Sequence, residues 1–395
     1  MPARDDLRLP PTEELVAFRR DLHAHPELAW QERRTTGAIA ERLTAAGIRH
    51  RLTEPTGLIA EIGSDGPVVV LRADIDALPL TDRAGEPWAS TVRGVAHACG
   101  HDVHTTALLG AALALAELDA RTPLPGRVRL LFQPAEEVMP GGAKRLMAQG
   151  ALDDAVRAYA LHCDPTLDVG TVGLKVGPLT GAADAVEVLL SGHGGHTSRP
   201  HLTQDLTFAL GHLVTGLPAA LSRRLDPRAG ATLVWGLVQA GATHNVIPSE
   251  GRAAGTIRIL DAGAWAEAER LVNELVGAVV SPYGVEAEVR YTRGVPPVVN
   301  QTEAVGLLAD AVGAQLGPDA AVPTLQSLGG EDFGWYLHTV PGAMARLGTR
   351  TPGGRTYDLH QGDLVVDERA IEIGARVLAD TAVRTLAAEI GTTPA

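Results

Sequence analysis

The stretch "GVAHACGHDVHTTALLGAALALAEL", from Gly94 to Leu118, crowds a thiol, imidazoles and a carboxylate into one short turn. Cys99 and His101 stand one residue apart, and Asp102 and His104 follow before the sequence becomes rich in Ala and Leu. Thiolate and imidazole are ligands suited to Zn²⁺ and related transition ions. The spacing is not that of a zinc finger and no second Cys-x-x-Cys accompanies it, so the pair alone also fits a buried structural role. Residues of the same chemistry recur at Glu136 and Glu137 in "FQPAEEVMPGG", at His162 in "ALHCD" and at His360 in "YDLHQGDLVVDE". Adjacent carboxylates where a chain leaves a sheet point in different directions, so one can bind an ion while the other faces a water. Hydrolysis assisted by a metal needs that division: the ion lowers the water's pKa and a separate carboxylate moves its proton. His23 and His25 in "LHAHPE" read as structural or as supports behind the ligands rather than as ligands, and His104 as a packing residue on a helix. The loop "GHGGHTSRPH" fits either an ordinary surface loop or a second reactive segment. There is no Gly-x-Ser-x-Gly elbow for serine chemistry, and "GGED" lacks the spacing of a phosphate loop.

These groups need a frame. "PVVVLRAD" reads as a buried strand ending in Asp74, with Asp76 just beyond; "GRVRLLFQPAEE" reads as another, ending at the two glutamates. "AVRAYALHCD" reads as a third that ends at His162, and the cysteine turn leads into a helix from about His104 to Leu118. Residues Thr12 to Ala46 form a helix pair broken at Pro26. Strands alternating with helices predict an α/β fold with a mixed, mostly parallel sheet flanked by helices. In such sheets ligands bind beyond the carboxyl ends of the strands, where these residues gather. After Gly181 the pattern becomes strand–helix–strand–strand–helix–strand, the order of a ferredoxin-like α+β unit. This predicts an inserted domain over 183–293, with the catalytic domain in two parts, 1–182 and 294–395.

With 395 residues, 45% of them apolar, the chain is long enough for two cores. A net charge of −13 without a Lys/Arg run argues against a nucleic-acid partner. No uninterrupted apolar run of about 18 residues suggests a membrane span, and "MPARDDLRLPPTEELVAF" carries acids where a signal peptide needs an apolar segment. Two cysteines support no disulfide framework, so the expected setting is a reducing cytoplasm.

Ten motifs then run in one order from about residue 20 to 380: "LHAHPELAWQE", "LRADIDALPL", "HACGHDVHTTALLGAA", "LLFQPAEE", "ALHCDP", "GTVGLKVGPLTGAAD", "GHGGHTSRPH", "NVIPSEGRAAGTIR", "GGEDFGWY" and "YDLHQGDLVVDE". In these the chain resembles the di-metal aminoacylase/carboxypeptidase family of metallopeptidases. Within it, the chain is similar to the amidohydrolase subfamily of hippurate, indole-acetyl-amino-acid and N-acyl-amino-acid hydrolases. The resemblance implies a di-zinc peptidase-like catalytic domain carrying a lid or dimerisation domain, two divalent ions (zinc or manganese), and cleavage of an N-acyl amino acid. It implies metal ligands at Cys99, His101, Glu137, His162 and His360, with Cys99 where related peptidases carry a bridging aspartate. Glu136 corresponds to the general base and Asp76 to a carboxylate behind the ligands. His196 corresponds to a histidine that reaches the reacting carbonyl, often from a partner subunit, and Asn245 and Arg258 to residues that bind the substrate carboxylate. A homodimer through the inserted domain is implied as well. A dipeptidase or carboxypeptidase of the same family is the alternative activity, and a non-catalytic metal-dependent binding protein the alternative of another class.

The two cysteines give the first test. Cys99→Ala should lower bound metal and turnover together, while Cys163→Ala leaves both largely intact; elemental analysis beside an activity assay reads both.

Overall fold

A computed structural model describes residues 7–392. The chain divides into two compact units: one comprises the chain up to Leu179, Val298–Gln326 and the residues from Asp332 onward, the other Thr180–Pro297 and Ser327–Glu331. The inserted unit is thus slightly longer than the 183–293 expected and recruits a later segment. Arg258 explains part of this, since its Nη1 donates to the Leu328 carbonyl at 3.2 Å.

The first unit is built on an eight-stranded mixed sheet. Its strands lie in the order Arg49–Leu52, Leu58–Gly63, Arg127–Gln133, Val68–Asp74, Ala155–Asp168, Gly342–Arg350, Val172–Leu174, Ala321–Pro323. The four strands from Arg127–Gln133 to Gly342–Arg350 run parallel to one another, and antiparallel neighbours flank them. Val68–Asp74 is buried at every residue. This suits the unbroken "VVVLRAD" run, because a central parallel strand is covered on both faces and has no reason to alternate. Helices His101–Arg121 and Arg369–Thr392 pack against each other in this unit. Gly110 lets them approach closely: a Cβ there would stand 3.0 Å from the Ala375 Cβ. His101–Arg121 has the length and hydropathy of a membrane span, yet 72% of that window is buried inside the protein, as for a core helix.

Three local expectations are corrected. The strand expected to end at the two glutamates stops at Gln133, before Pro134, which has no amide hydrogen to continue the ladder. The helix after the cysteine turn starts at His101 rather than about His104, because Gly100 takes a left-handed conformation (φ 85°) that turns the chain directly into it. The strand expected to end at His162 runs on to Asp168. Its pairing with Val68–Asp74 stops at Ala160, whereas pairing with Gly342–Arg350 continues through His162 to Asp168. His162 therefore lies just past the end of one ladder while still inside another.

The inserted unit is a four-stranded antiparallel sheet in the order Thr232–Ala240, Glu250–Ile259, Ala182–Ser191, Glu286–Val295. Helices Leu206–Arg224 and Ala262–Val280 complete the ferredoxin-like βαββαβ pattern. Its core is pinned by Asp184, 3% exposed, which accepts hydrogen bonds from Trp265 Nε1, the Tyr291 hydroxyl and the Gly294 amide.

A second buried carboxylate stabilises the first unit. Asp332 accepts from Arg72 Nη2 at 2.8 Å, from Gln133 Nε2 and from the Ala143 amide at 3.0 Å. Asp332→Ala leaves the Arg72 guanidinium with a partner missing in the interior. We predict a loss of about 3–5 kcal/mol, seen as a lowered urea midpoint in the transition that reports the first unit.

Candidate metal centre

Segments from five parts of the first unit meet at the carboxyl ends of its parallel strands. The chain after Val68–Asp74 pairs with the chain before the cysteine turn: Leu78 and Ala96 exchange both backbone hydrogen bonds, each at 3.0 Å. That pairing lays Asp76 beside the Cys99–His101 turn. The turn depends on Gly100, since a Cβ there would sit 2.7 Å from the Cys163 sulfur. His360 is tied to the same turn through its amide, which donates to the Ala98 carbonyl at 2.8 Å. Its φ of 60° is unusual for a residue with a side chain.

The donor atoms converge. Cys99 Sγ lies 3.6 Å from His162 Nε2, His360 Nε2 lies 3.3 Å from Glu137 Oε1, and His101 Nε2 lies 3.8 Å from Glu137 Oε1 and 4.0 Å from Glu136 Oε2. Among the groups that result, Cys99–His101–His162 and Cys99–Glu137–His360 each have their donor atoms within 4.8 Å of one another, as does His101–Glu136–Glu137. Cys99 belongs to the first two. Ligands around a tetrahedral Zn²⁺ with bonds of about 2.0–2.3 Å stand about 3.5 Å apart, so the observed separations suit an ion.

The tautomers fit as well. His101 Nδ1–H donates to the Asp76 carbonyl at 2.9 Å, and His162 Nδ1–H donates to the Cys163 carbonyl at 2.8 Å. In its neutral form each ring then offers Nε2 to an ion. His101 Nε2 and Glu137 Oε1 are buried and neither makes a hydrogen bond. Buried polar atoms left this way are costly unless an ion satisfies them.

Burial and charge explain the electrostatics. Burial pushes the His162 imidazole well below its ordinary range, with the Arg346 charge adding to the effect, which keeps it in the neutral form a metal needs. Burial also raises the Cys99 thiol, so a neighbouring cation is what would stabilise its thiolate. For His101, burial lowers the pKa, but Asp74, Cys99 and Asp76 outweigh it and hold a proton well above the usual range. His360 is raised to about 10 by its contacts with Cys99 and Glu137. An incoming cation would displace those protons.

Behind these groups stand residues that keep them in place. Asp76 accepts the Glu136 amide on one carboxylate oxygen and the Glu137 amide on the other, each at 3.0 Å. Asp74 accepts from His104 Nδ1 at 2.6 Å, and His104 Nε2 accepts the Cys163 amide at 2.7 Å. His104 is therefore a hydrogen-bonded link to the His162 segment as well as a packing residue. His23 is structural as expected, donating from Nδ1 to Asp102 at 2.8 Å, with Arg19 against the same carboxylate at 2.6 Å.

Sequence reasoning did not single out Glu32, Arg72 or Asp332 in this arrangement. Glu32 and Asp332 each lie inside a motif quoted above, "LHAHPELAWQE" and "GGEDFGWY", and that was the available signal. Three expected site residues lie in the inserted unit. His196 and Asn245 come together there: His196 pairs with Val246 in a two-residue ladder, and the Thr197 amide donates to the Asn245 carbonyl at 3.3 Å. His196 Nδ1 accepts the Ser198 amide at 3.1 Å, which leaves the proton of the neutral ring on Nε2. Arg258 is elsewhere in that unit. It pairs with Ala183, eight residues along its strand from the Glu250–Ser191 pair near the His196 loop, or roughly 26 Å at about 3.3 Å per residue.

Residues 70–384 match the model of peptidase family M20/M25/M40. The chain belongs to that family. Among curated proteins it is 48% identical over 366 residues to a putative glutamate–cysteine ligase 2-3 of Rhodococcus jostii, covering 92% of this chain but only 46% of that one. The chain thus spans about half the length of that relative. It is 38% identical to an N-acetyl-L-cysteine deacetylase of Bacillus subtilis, covering 94% of this chain and 88% of the other. Among solved structures, a dinuclear metal-binding peptidase of this family from Bacillus subtilis superimposes with a TM-score of 0.83 at 34% identity, over 95% of this chain and 98% of that one. The family match and this likeness agree with the mixed α/β architecture described above.

The Gly100 turn yields a test independent of substrate. Gly100→Ala forces a side chain into a left-handed position and against Cys163. We expect weaker metal binding by titration calorimetry, with far-ultraviolet circular dichroism close to that of the unaltered chain.

Proposed function

We propose that the chain is a metal-dependent amidohydrolase that cleaves the amide of an N-acyl amino acid to a carboxylic acid and a free amino acid. One observation carries the reading: Glu136 and Glu137, fixed side by side on the two oxygens of Asp76, face donor groups that share Cys99. The names of relatives agree with it, among them N-acetyl-L-cysteine deacetylase and N-acetyldiaminopimelate deacetylase.

Cys99, His101, Glu137, His162 and His360 would hold two divalent ions, zinc or manganese. Such ions polarise a scissile carbonyl and lower the pKa of a water. Glu136, next to the candidate ligand Glu137 and 4.0 Å from His101 Nε2, would take the water's proton as the oxygen adds to the carbonyl carbon. When the C–N bond breaks, Glu136 returns that proton to the leaving amine. Asp76 keeps Glu136 and His101 in a fixed relation through both steps. His196, with its proton on Nε2, would donate to the developing oxyanion, a kind of contact worth about 3–4 kcal/mol in other enzymes. Asn245 and Arg258 would bind the substrate's carboxylate, Arg258 through the charged fork suited to that group.

The distance between His196 and Arg258 supports a homodimer. A substrate as small as an N-acyl amino acid cannot touch both ends of that strand in one copy, so one of the two side chains would come from a second copy. The edge strand Thr232–Ala240, with Val234 and Val238 exposed, is a surface on which copies could pair. A thiolate ligand suits a reducing compartment, and we assign the cytoplasm on that ground.

Two experiments test the reading. Glu136→Gln should retain its metal by elemental analysis yet lose most turnover of N-acyl amino acids; near-normal rates would remove it from the base role. Faster cleavage of dipeptides than of N-acyl amino acids by the unaltered chain would favour the peptidase alternative. His196→Ala and Arg258→Ala should each be nearly inactive alone and regain activity when mixed and allowed to exchange subunits. No recovery, with exchange verified, would refute the shared site.

A further inference from the structure

Glu32 is fully buried at the start of helix Arg33–Ala45, remote in sequence from every residue given a chemical role above. Its Oε1 accepts the Ala135 amide at 2.8 Å and the Trp30 amide at 3.0 Å, and its Oε2 accepts the Thr56 hydroxyl at 2.6 Å. Its backbone carbonyl accepts the Thr36 hydroxyl, which in turn accepts the Gly57 amide at 2.9 Å. The carboxylate is therefore held from several sides, and one of its contacts reaches the residue just before Glu136.

Ala135 is itself unusual. It is buried, it carries a side chain, and its φ is 56°, in the left-handed region that glycine favours. Nothing in an alanine prefers that conformation, so its neighbours impose it. Two do so directly: Glu32 takes its amide hydrogen, and the Gly142 amide donates to its carbonyl at 2.9 Å. The loop folds back so tightly that a Cβ on Gly142 would meet the Pro134 carbonyl and one on Gly141 would meet the Asp332 carboxylate. Ala135, Glu136, Glu137 and Ala143 then direct their amides to three buried carboxylates, Glu32, Asp76 and Asp332. Asp76 and Asp332 hold the tip and the far end of the loop. Of the three carboxylates, Glu32 is the one that holds the near end, where the chain bends into the left-handed residue that aims the two glutamates.

We infer that Glu32 is a positioning residue that sets the direction of Glu136 and Glu137 by holding the Ala135 amide in its left-handed conformation. This rests on the reading of Glu136 as the base and Glu137 as a metal ligand. Without the Glu32 acceptor, Ala135 relaxes toward an ordinary φ and both carboxylates turn away from His101 and His360. Glu32 is fully buried and its side-chain hydrogen bonds among the described residues go to Trp30, Thr56 and Ala135, so its loss would act on the fit of the loop and not on binding of substrate.

The test compares Glu32→Ala, Glu32→Gln and Thr56→Val in the full-length chain. Glu32→Gln keeps a carbonyl oxygen for the Ala135 amide, and Thr56→Val removes only the opposite contact. The expected result is a loss of about 10–100-fold in kcat or in zinc affinity for Glu32→Ala, the range for residues that orient metal ligands, with KM little changed. Glu32→Gln should restore most of it. Thr56→Val should lower the melting temperature while leaving kcat near that of the unaltered chain. Hydrogen exchange in the metal-free chain gives a readout apart from activity: the 135–137 amides should lose protection in Glu32→Ala and keep it in Glu32→Gln. Should Glu32→Ala not fold, Glu32→Asp, whose carboxylate falls short of the Ala135 amide, takes its place in every comparison. Unchanged exchange at 135–137, or Glu32→Gln as damaged as Glu32→Ala, overturns the inference. If the unaltered chain hydrolyses no N-acyl amino acid, the proposed function fails by itself, and exchange and zinc affinity still decide the role of Glu32.

Discussion

The carboxylate of Asp76, 1% exposed, takes the amides of two successive glutamates, one on each oxygen, while its own carbonyl takes the Nδ1 proton of His101. A carboxylate buried that deeply is stable only if several donors surround it. Here the donors are the backbone of the very residues that the site needs. The requirement to satisfy one buried charge and the requirement to hold two acidic side chains in a fixed relation are met by the same hydrogen bonds. Much else at the sheet edge follows from that arrangement, including the pairing of Leu78 with Ala96 that carries the cysteine turn alongside.

The same logic continues below the site. Arg72, 1% exposed, donates to Asp74 and to Asp332 and touches Gln133, while Asp74 passes the interaction through His104 to the chain at Cys163. Replacing such groups with well-packed apolar residues would cost little stability in many proteins, and removing one partner costs much. Their use here is geometric. Each charged group fixes a segment that ends in a candidate ligand, so the polar interior acts as a set of struts between the sheet and its loops.

The inserted unit solves a different problem with its own core. Its antiparallel sheet and two helices fold around Asp184, whose carboxylate accepts from Trp265, Tyr291 and Gly294. What it presents is divided: His196 and Asn245 at one end of the sheet, Arg258 toward the other. That division follows from strand register, since residues eight apart on one extended strand cannot meet.

Much of this was legible in the residues alone. Apolar runs that end in acids announced parallel strands with ligands at their ends, and the later alternation announced an antiparallel insertion, because side-chain period follows from local backbone geometry. The types and order of Cys99, His101, Glu136, Glu137, His162 and His360 pointed to metal chemistry for the same reason: ligand character belongs to the side chain. The strand through His162 read as too short, since whether it continues depends on the partner that pairs with it, here Gly342–Arg350. Glu32, Arg72 and Asp332 are not singled out by residue type or spacing. Only the fold brings Glu32 to Ala135, 103 positions away, and Asp332 to Arg72, 260 away. Chemistry and periodicity are local properties that a sequence states directly; which buried charge answers which distant amide is a matter of packing, and tertiary structure alone decides it.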